Sequence, residues 1–390
     1  MRILLVGDYP RDARLGSTKV LLKLQEEFRA AGHVCDVLLG DDIGDGFRHR
    51  TVRWALAPVA SFRAVRRAIR RNGRYDVIDA ASAEGLWLGV LRRLGGMHGT
   101  AIVARSNGLD HLDYRRMLAD ADAGLLAKPW SRRWYYPAVR LSQVEAAARA
   151  ADRLILLNEG DRAFVLERGW KRDADIDVVS HGVSSRFRDT APDDSRRGHG
   201  ILFCGTWSNT KGVPYLADAF ARLVERGVTI QPSGAPVALT VLGGGIPASD
   251  IRAAFPSHAQ PHLTVIDRAS EAEVIAAYRA HDVLAFPSTY EGFGMVLMEA
   301  MSQRLPVVTT PVGCATTLVE AGGNGLVVPP RDASALADAI ADLLGDPARR
   351  AALAEAACRR VRGLTWGATA QRTLDVYERA VTARPELAHV

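Results

Sequence analysis

The sequence predicts an α/β protein made of two doubly wound parallel-sheet domains. Short apolar runs alternate with amphipathic stretches of helical period along most of the chain. That is the pattern of strand–helix–strand units whose sheet is covered on both faces. The alternation breaks once, at "SSRFRDTAPDDSRRGHG", which has no apolar period and is rich in charge, Pro, Gly and Ser, and then restarts. At 390 residues the chain also exceeds what one core usually fills.

In the first half, "RILLVG" reads as a strand that is apolar on both faces. "DYPRDARLGST" is a turn-rich loop. "KVLLKLQEEFRAAGH" is a helix with an apolar stripe, closing near Gly32. The strands "VCDVLLG", "YDVIDAA" and "TAIVARSNG" follow, separated by the helical stretches "SFRAVRRAIRRNG" and "EGLWLGVLRRLG". A helical stretch from about Tyr135 to Ala151 precedes strand "RLILLN", helix "EGDRAFVLERG" and strand "IDVVSHG". After the break come strand "GILFCGTWS", helix "VPYLADAFARLVERG" and strand "VALTVLGGG". Next are strand "LTVIDR", helix "EAEVIAAYRAHD" and strand "VLAFPS". The last third holds strand "PVVTTPVG", the "GNGLVVPP" segment and three helices, the final one "WGATAQRTLDVYERAV". The expected domains are residues 1–185 and 200–365, with a linker over 186–199 and the terminal helix in 366–390.

Composition excludes several classes. Hydrophobic residues make up 48% and charged residues 24%, ordinary for a globular protein. The apolar start "MRILLVGDYP" is too short for a signal peptide, and no run approaches the ~18 apolar residues that span a bilayer. A cytoplasmic protein is expected, able to sit peripherally at the inner face of the membrane. Cys35, Cys204, Cys314 and Cys358 are scattered, so neither a disulfide framework nor a zinc cluster is indicated. Charge is uneven. The first 190 residues carry 32 Lys and Arg against 24 Asp and Glu, and the rest carry 18 against 20. The basic excess suits an anionic partner on the first half, either a phosphorylated substrate or an acidic membrane surface. No segment belongs to a recognisable nucleic-acid-binding module, and no nucleic-acid partner is expected.

The stretch "PSTYEGFGMVLMEAM", Pro287 to Met301, carries the chemistry. "VLAFPS" is a strand whose carboxyl end is where such sheets place ligands. A helix starts after the glycine turn, and its N-terminus offers unpaired N–H groups and a partial positive charge. Gly292 and Gly294 let the backbone approach a ligand closely, which suits a diphosphate. Glu291 and Glu299 bracket that turn. A carboxylate accepts two hydrogen bonds side by side, as paired sugar hydroxyls present them. In "GTWSNTKG", Lys211 follows the strand-end Gly205 and can balance charge on a departing diphosphate.

The ordered set of Glu291, seven residues and Glu299, after "PS" and with "GFG" behind the first Glu, resembles the group 1 retaining glycosyltransferases of the GT-B fold. "EAMSQRLPVVTTPVG", "GNGLVVPPRDASALADAI", "FCGTWSNTKGVPYLADAF", "ADRLILLNEG" and "IDVVSHGVSSRF" continue the likeness. It is strong from Ala151 onward and weaker before about Gly108. The resemblance implies two Rossmann-like domains facing across a cleft, with the C-terminal helix crossing back to the N-terminal domain. It implies a nucleotide-diphosphate sugar as donor and a hydroxyl acceptor, held by the C-terminal and N-terminal domains respectively. Glu299 would bind ribose hydroxyls and Glu291 those of the donor sugar. The backbone of Phe293, Gly294, Met295 and Val296 would meet the sugar and diphosphate, and Lys211 would assist departure. The departing phosphate oxygen would itself take the acceptor proton. No cofactor and no metal is expected. Relatives carry an arginine where this chain has Thr206 and Trp207, and a histidine near Asn107.

The remaining motifs are read with alternatives open. In "RLGST", Arg14 to Thr18, Gly16 is expected near the donor phosphate and Ser17 on the acceptor side, where it would also cap the helix. In "RSNGLDH", Arg105 to His111, Asn107 is placed on the acceptor side, and His111 and Asp110 join Lys211 and Glu291 as catalytic candidates. "FRAVRRAIRRNGR" is amphipathic, suited either to an acidic membrane or to ordinary inward packing. "KPWSRRWYYP", Lys128 to Pro137, is either a face for a lipid or aromatic acceptor or a plain loop. Two rival functions are a nucleotide-sugar epimerase on the same architecture and a silent nucleotide-sugar-binding protein.

Overall fold

The computed structural model describes residues 1–12, 15–44, 50–92, 97–127, 129–189 and 197–383. Arg14, Lys128 and residues 190–196 of the expected linker lie outside them. The chain divides into two compact units, Met1–Gly182 with Trp366–Val390, and Val183–Thr365.

The first unit holds β1 (Arg2–Val6), α1 (Gly16–Ala30), β2 (Val34–Leu38), α2 (Arg50–Asn72), β3 (Val77–Ala81), β4 (Ala101–Arg105), α3 (Asp110–Asp122), α4 (Ser142–Ala150), β5 (Arg153–Leu156), α5 (Glu159–Glu167) and β6 (Ile176–Val178). Its six strands run in the order β2-β1-β3-β4-β5-β6, and every pairing is parallel. The central strands are buried on both faces, as their unbroken apolar runs require.

The second unit holds β7 (Ile201–Cys204), α6 (Val213–Glu225), β8 (Leu239–Leu242), β9 (Leu263–Ile266), α7 (Glu271–Ala280), β10 (Val283–Phe286), α8 (Met295–Ser302), β11 (Val307–Thr309), β12 (Leu326–Val327), α9 (Ala333–Gly345) and α10 (Pro347–Val361). Its parallel sheet runs β9-β8-β7-β10-β11-β12. Strand order reverses between β7 and β10, the sheet's topological switch point. Ligands of open α/β sheets sit at that switch point. A small antiparallel pair, Thr229–Ile230 with Ala235–Pro236, is an addition the sequence did not announce.

The terminal helix α11 (Trp366–Thr382) belongs to the first unit. The Tyr377 hydroxyl donates to Asp79 on β3 and its ring lies 5.7 Å from that of Phe28. Arg105 on β4 pairs with the same Asp79 at 2.7 Å, both side chains fully buried. Thr369 donates to the Ser180 carbonyl at 2.9 Å, and Arg379 meets Asp177 at 2.7 Å.

Several expectations need correction. α2 starts at Arg50, not at Ser61, and runs through Pro58. Helix α3 was unassigned because one of its buried positions is polar: Asp120 is 1% exposed and takes Arg116 at 2.5 Å, which hides the apolar period. The helical stretch after Tyr135 begins at Ser131 with widened π turns to Leu141. Pro137 has no N–H to give the ladder there. "EGLWLGVLRRLG" yields only a 3₁₀ turn, Ser82–Gly85, and a short helix, Leu86–Val90. The stretch read as linker contributes a helix, Ser185–Asp189. It is fastened to the second unit by Phe187, buried with its ring 6.0 Å from that of Tyr278. One buried aromatic in a polar run leaves no period to read.

Candidate donor and acceptor sites

The two loops of the second unit's switch point are tied together. Thr289 N–H donates to the Thr210 carbonyl at 2.8 Å, and the Thr289 hydroxyl reaches the Asn209 and Thr210 carbonyls at 3.2 and 3.3 Å. Gly212 permits this approach. Its φ is +71°, and a Cβ there would stand 1.9 Å from the Pro287 carbonyl oxygen. The result brings Lys211 Nζ onto Glu291 Oε1 as a short ion pair. Ser288 Oγ donates to the same carboxylate oxygen at 2.9 Å. Glu291 is 8% exposed, and a buried carboxylate needs such partners.

Behind Glu291 the turn is clamped from β11's side. Phe293 is buried and its carbonyl accepts from Cys314 N–H at 2.6 Å. Gly294, at φ +94°, starts α8 with no side-chain cap. Met295 and Val296, half-buried residues like Gly292, open the helix, and their N–H groups lie in the first turn, ahead of the intrahelical ladder. Glu299 lies within α8, 9% exposed, 3.5 Å from the Tyr278 hydroxyl. The Tyr278 hydroxyl also lies 3.8 Å from Cys204 Sγ, and burial pushes that thiol up to about 12. Cys204 is thus a neutral thiol and no nucleophile. Gly205, at φ +141°, has open space where a Cβ would be. Trp207 is a packing residue. Its backbone N–H donates to the Gly244 carbonyl at 2.7 Å, and its ring meets Phe203 edge-on at 5.6 Å and Phe255 at 5.5 Å. Thr206 is exposed.

In the first unit a polar network gathers at the carboxyl ends of β1, β3 and β4. Asp110 accepts from Ser82 Oγ at 2.7 Å and from the Tyr136 hydroxyl at 2.9 Å, with Arg140 Nε 3.8 Å away. Arg140 pairs with buried Glu84 at 3.1 Å. Burial pushes the Glu84 carboxyl up, against the pull of Arg140. Ser82 sits at φ +51°, a conformation that a non-glycine residue holds only when its surroundings impose it. Asn107 Nδ2 donates to the Tyr9 hydroxyl at 3.2 Å, and Asp8 takes Arg53 at 2.8 Å.

Gly16 and Ser17 open α1, but Leu15 is its N-cap and no side chain caps it, so Ser17 does not cap. The helix begins earlier than the sequence suggested, with Lys19 N–H bonded to the Leu15 carbonyl at 2.8 Å.

His111 is set apart from Asp110's network. Its ring lies 4.5 Å from that of Trp170 and 5.9 Å from that of Phe164. Burial drives the imidazole down to about 4. The geometry packs His111 against those two rings, and a base that weak has little use at neutral pH. His111→Phe is expected to keep kcat within about threefold, where loss of a general base costs ~10²-fold or more; steady-state turnover reads the difference.

Sequence reasoning missed Glu84, Tyr136 and Arg140. The strand-end position of Glu84, just after "DAAS", was a usable signal; Arg140 lay inside a helical run and gave none.

Two six-stranded parallel units with flanking helices are the architecture of the GT-B fold class. The family model described as Glycosyl transferases group 1 matches residues 198–346. A relative from Kineococcus radiotolerans, named D-inositol 3-phosphate glycosyltransferase, is 34% identical over 278 residues, covering 64% of this chain and 62% of that protein. The chain thus spans less than two thirds of that relative's length. One of the same name from Kribbella flavida is 30% identical over 349 residues, covering 82% of this chain and 75% of that protein. The solved structure of sucrose-phosphate synthase from Thermosynechococcus elongatus superposes with a TM-score of 0.78 at 21% identity, over 98% of this chain and all of that one. The chain belongs to the group 1 glycosyltransferases.

Proposed function

We propose that the protein transfers a sugar from a nucleotide-diphosphate sugar to a hydroxyl acceptor, with retention of anomeric configuration and without a metal ion. The observation that carries this reading is the meeting of Lys211 and Glu291 beside the uncapped start of α8, with Glu299 in the same helix. Lys211 and the first N–H groups of α8 suit the two phosphates. Glu291 suits the donor sugar's hydroxyls and Glu299 those of the ribose. In the transfer, the bond from the anomeric carbon to the phosphate oxygen breaks as the bond to the acceptor oxygen forms on the same face. The acceptor's proton passes to the departing phosphate oxygen, and Lys211 balances the charge left there. Asp110 and Asn107 supply acceptor-side groups in the first unit. The relatives' name supports a polyhydroxylated acceptor. Contact of the basic first unit with an anionic membrane is part of the same reading.

A thermal-shift screen against nucleotide diphosphates and nucleotide sugars tests the donor role, because a bound donor stabilises the fold by mass action. A shift of several degrees with one nucleotide series is expected. Glu299→Ala is expected to abolish it, and an unchanged shift in that variant would sink the ribose assignment. Transfer is expected to persist in excess chelator; loss of turnover, restored by a divalent ion, would overturn metal independence.

A further inference from the structure

We propose that the first unit docks on an anionic lipid bilayer, using the exposed face of α2 together with the tryptophan-bearing segment beside its first turns. The apolar part is Trp130 and Trp134, 67% and 60% exposed, preceded by the exposed Leu125 and Leu126. Val52 and Leu56, on the first turns of α2, are exposed as well. The two groups adjoin. The Tyr135 hydroxyl donates to the Thr51 carbonyl at 2.9 Å, Gln143 donates to the Ala55 carbonyl at 3.0 Å, and the rings of Trp54 and Tyr136 meet edge-on at 4.8 Å. Large apolar side chains thus gather at one end of α2.

The other end of the same face is basic. On a 3.6-residue helix, Val52, Leu56, Arg63, Arg67 and Arg70 fall within about 60° of one another. All five are exposed. Helix α2 contains no Asp or Glu. The nearby acids Asp41 and Asp42 are met by Arg11, at 4.0 and 2.6 Å. Arg67 donates to the Asp42 backbone carbonyl at 3.3 Å. From Val52 to Arg63 the stripe runs about 16 Å along the axis before the charge begins.

A surface with hydrocarbon for Trp and Leu and phosphates for Arg in one plane matches this division. Trp rings settle at the headgroup level, and guanidinium groups bind phosphate with paired donors. A nucleic acid would meet the arginines and leave the leucines and valine in water. The proposal gives a surface to the membrane contact of the preceding reading. It is measured without turnover, so its failure and that of the transferase reading are distinguishable.

Co-sedimentation of the full chain with vesicles of phosphatidylcholine, with and without phosphatidylglycerol, tests it. Binding is expected only with phosphatidylglycerol present, and should weaken as salt rises. Trp130→Ser/Trp134→Ser is expected to weaken binding roughly tenfold and Arg63→Gln/Arg67→Gln/Arg70→Gln roughly 10²-fold, both with unchanged circular dichroism and melting. Three results would overturn the proposal. One is wild-type binding no stronger than to phosphatidylcholine alone. Another is a loss confined to one of the two variants, or to neither. The third is equal or tighter binding to short duplex DNA that depends on the arginines alone.

Discussion

Lys211→Ala is expected to lower kcat by roughly 10²–10³-fold, the usual effect of removing one group that stabilises charge built up in the transition state. Donor KM should move far less, because the α8 N–H groups and Glu299 remain. The structure makes a second, separate demand on this variant. Lys211 is the cation on Glu291, so its loss leaves a nearly buried carboxylate with the Ser288 hydroxyl. Stability should fall by ~1–2 kcal/mol, read from thermal unfolding. The double variant Lys211→Ala/Glu291→Gln should recover the lost stability without recovering kcat, since the neutral amide needs no counter-charge. Steady-state kinetics decide the matter: a loss in kcat of less than tenfold would remove Lys211 from the leaving-group role.

Gly212→Ala is expected to be the most damaging single methyl in the second unit. The new Cβ would sit 1.9 Å from the Pro287 carbonyl oxygen, and φ is +71°. Either fault is costly, and together they force the β7 and β10 loops apart at the place where Thr289 ties them. A loss of roughly 3 kcal/mol corresponds to a fall of about 6–12 °C in Tm for a unit of this size. The Lys211–Glu291 pair should open as well, so any donor-induced thermal shift disappears. A variant that melts like the parent would show that the two loops do not pack as described.

Much of this was legible in the sequence because the second unit encodes it locally. Strand, glycine turn and helix follow one another in "VLAFPSTYEGFGMVLMEAM", so the position of Glu291 and Glu299 relative to a helix N-terminus could be read off their spacing. What spacing could not give is the partner from the other loop. Lys211 is 80 residues from Glu291 in sequence, and only the strand order brings them together. The same limit hid Arg140, whose partners come from two other segments, Ser82 and Glu84 from the turn after β3 and Asp110 from the start of α3. The surroundings of His111 were hidden in the same way. Its neighbours in sequence mix Asp110 and Asp113 with Leu109 and Leu112, while the rings beside it, Phe164 and Trp170, arrive from α5 and the turn after it. A loop-side histidine and a core histidine look alike until the helix that carries them is placed.

The docking of α11 sets the order in which the molecule can be finished. The first unit's sheet is encoded ahead of the second unit, but its Asp79–Arg105 pair lacks the Tyr377 hydroxyl, and Phe28 lacks its ring partner, until α11 exists. During synthesis the middle of the sequence, Val183–Thr365, can close its own core while the beginning still waits. The unit translated first is therefore the unit completed last. A ribosome that stops at Thr365 releases a finished second unit attached to an open first one.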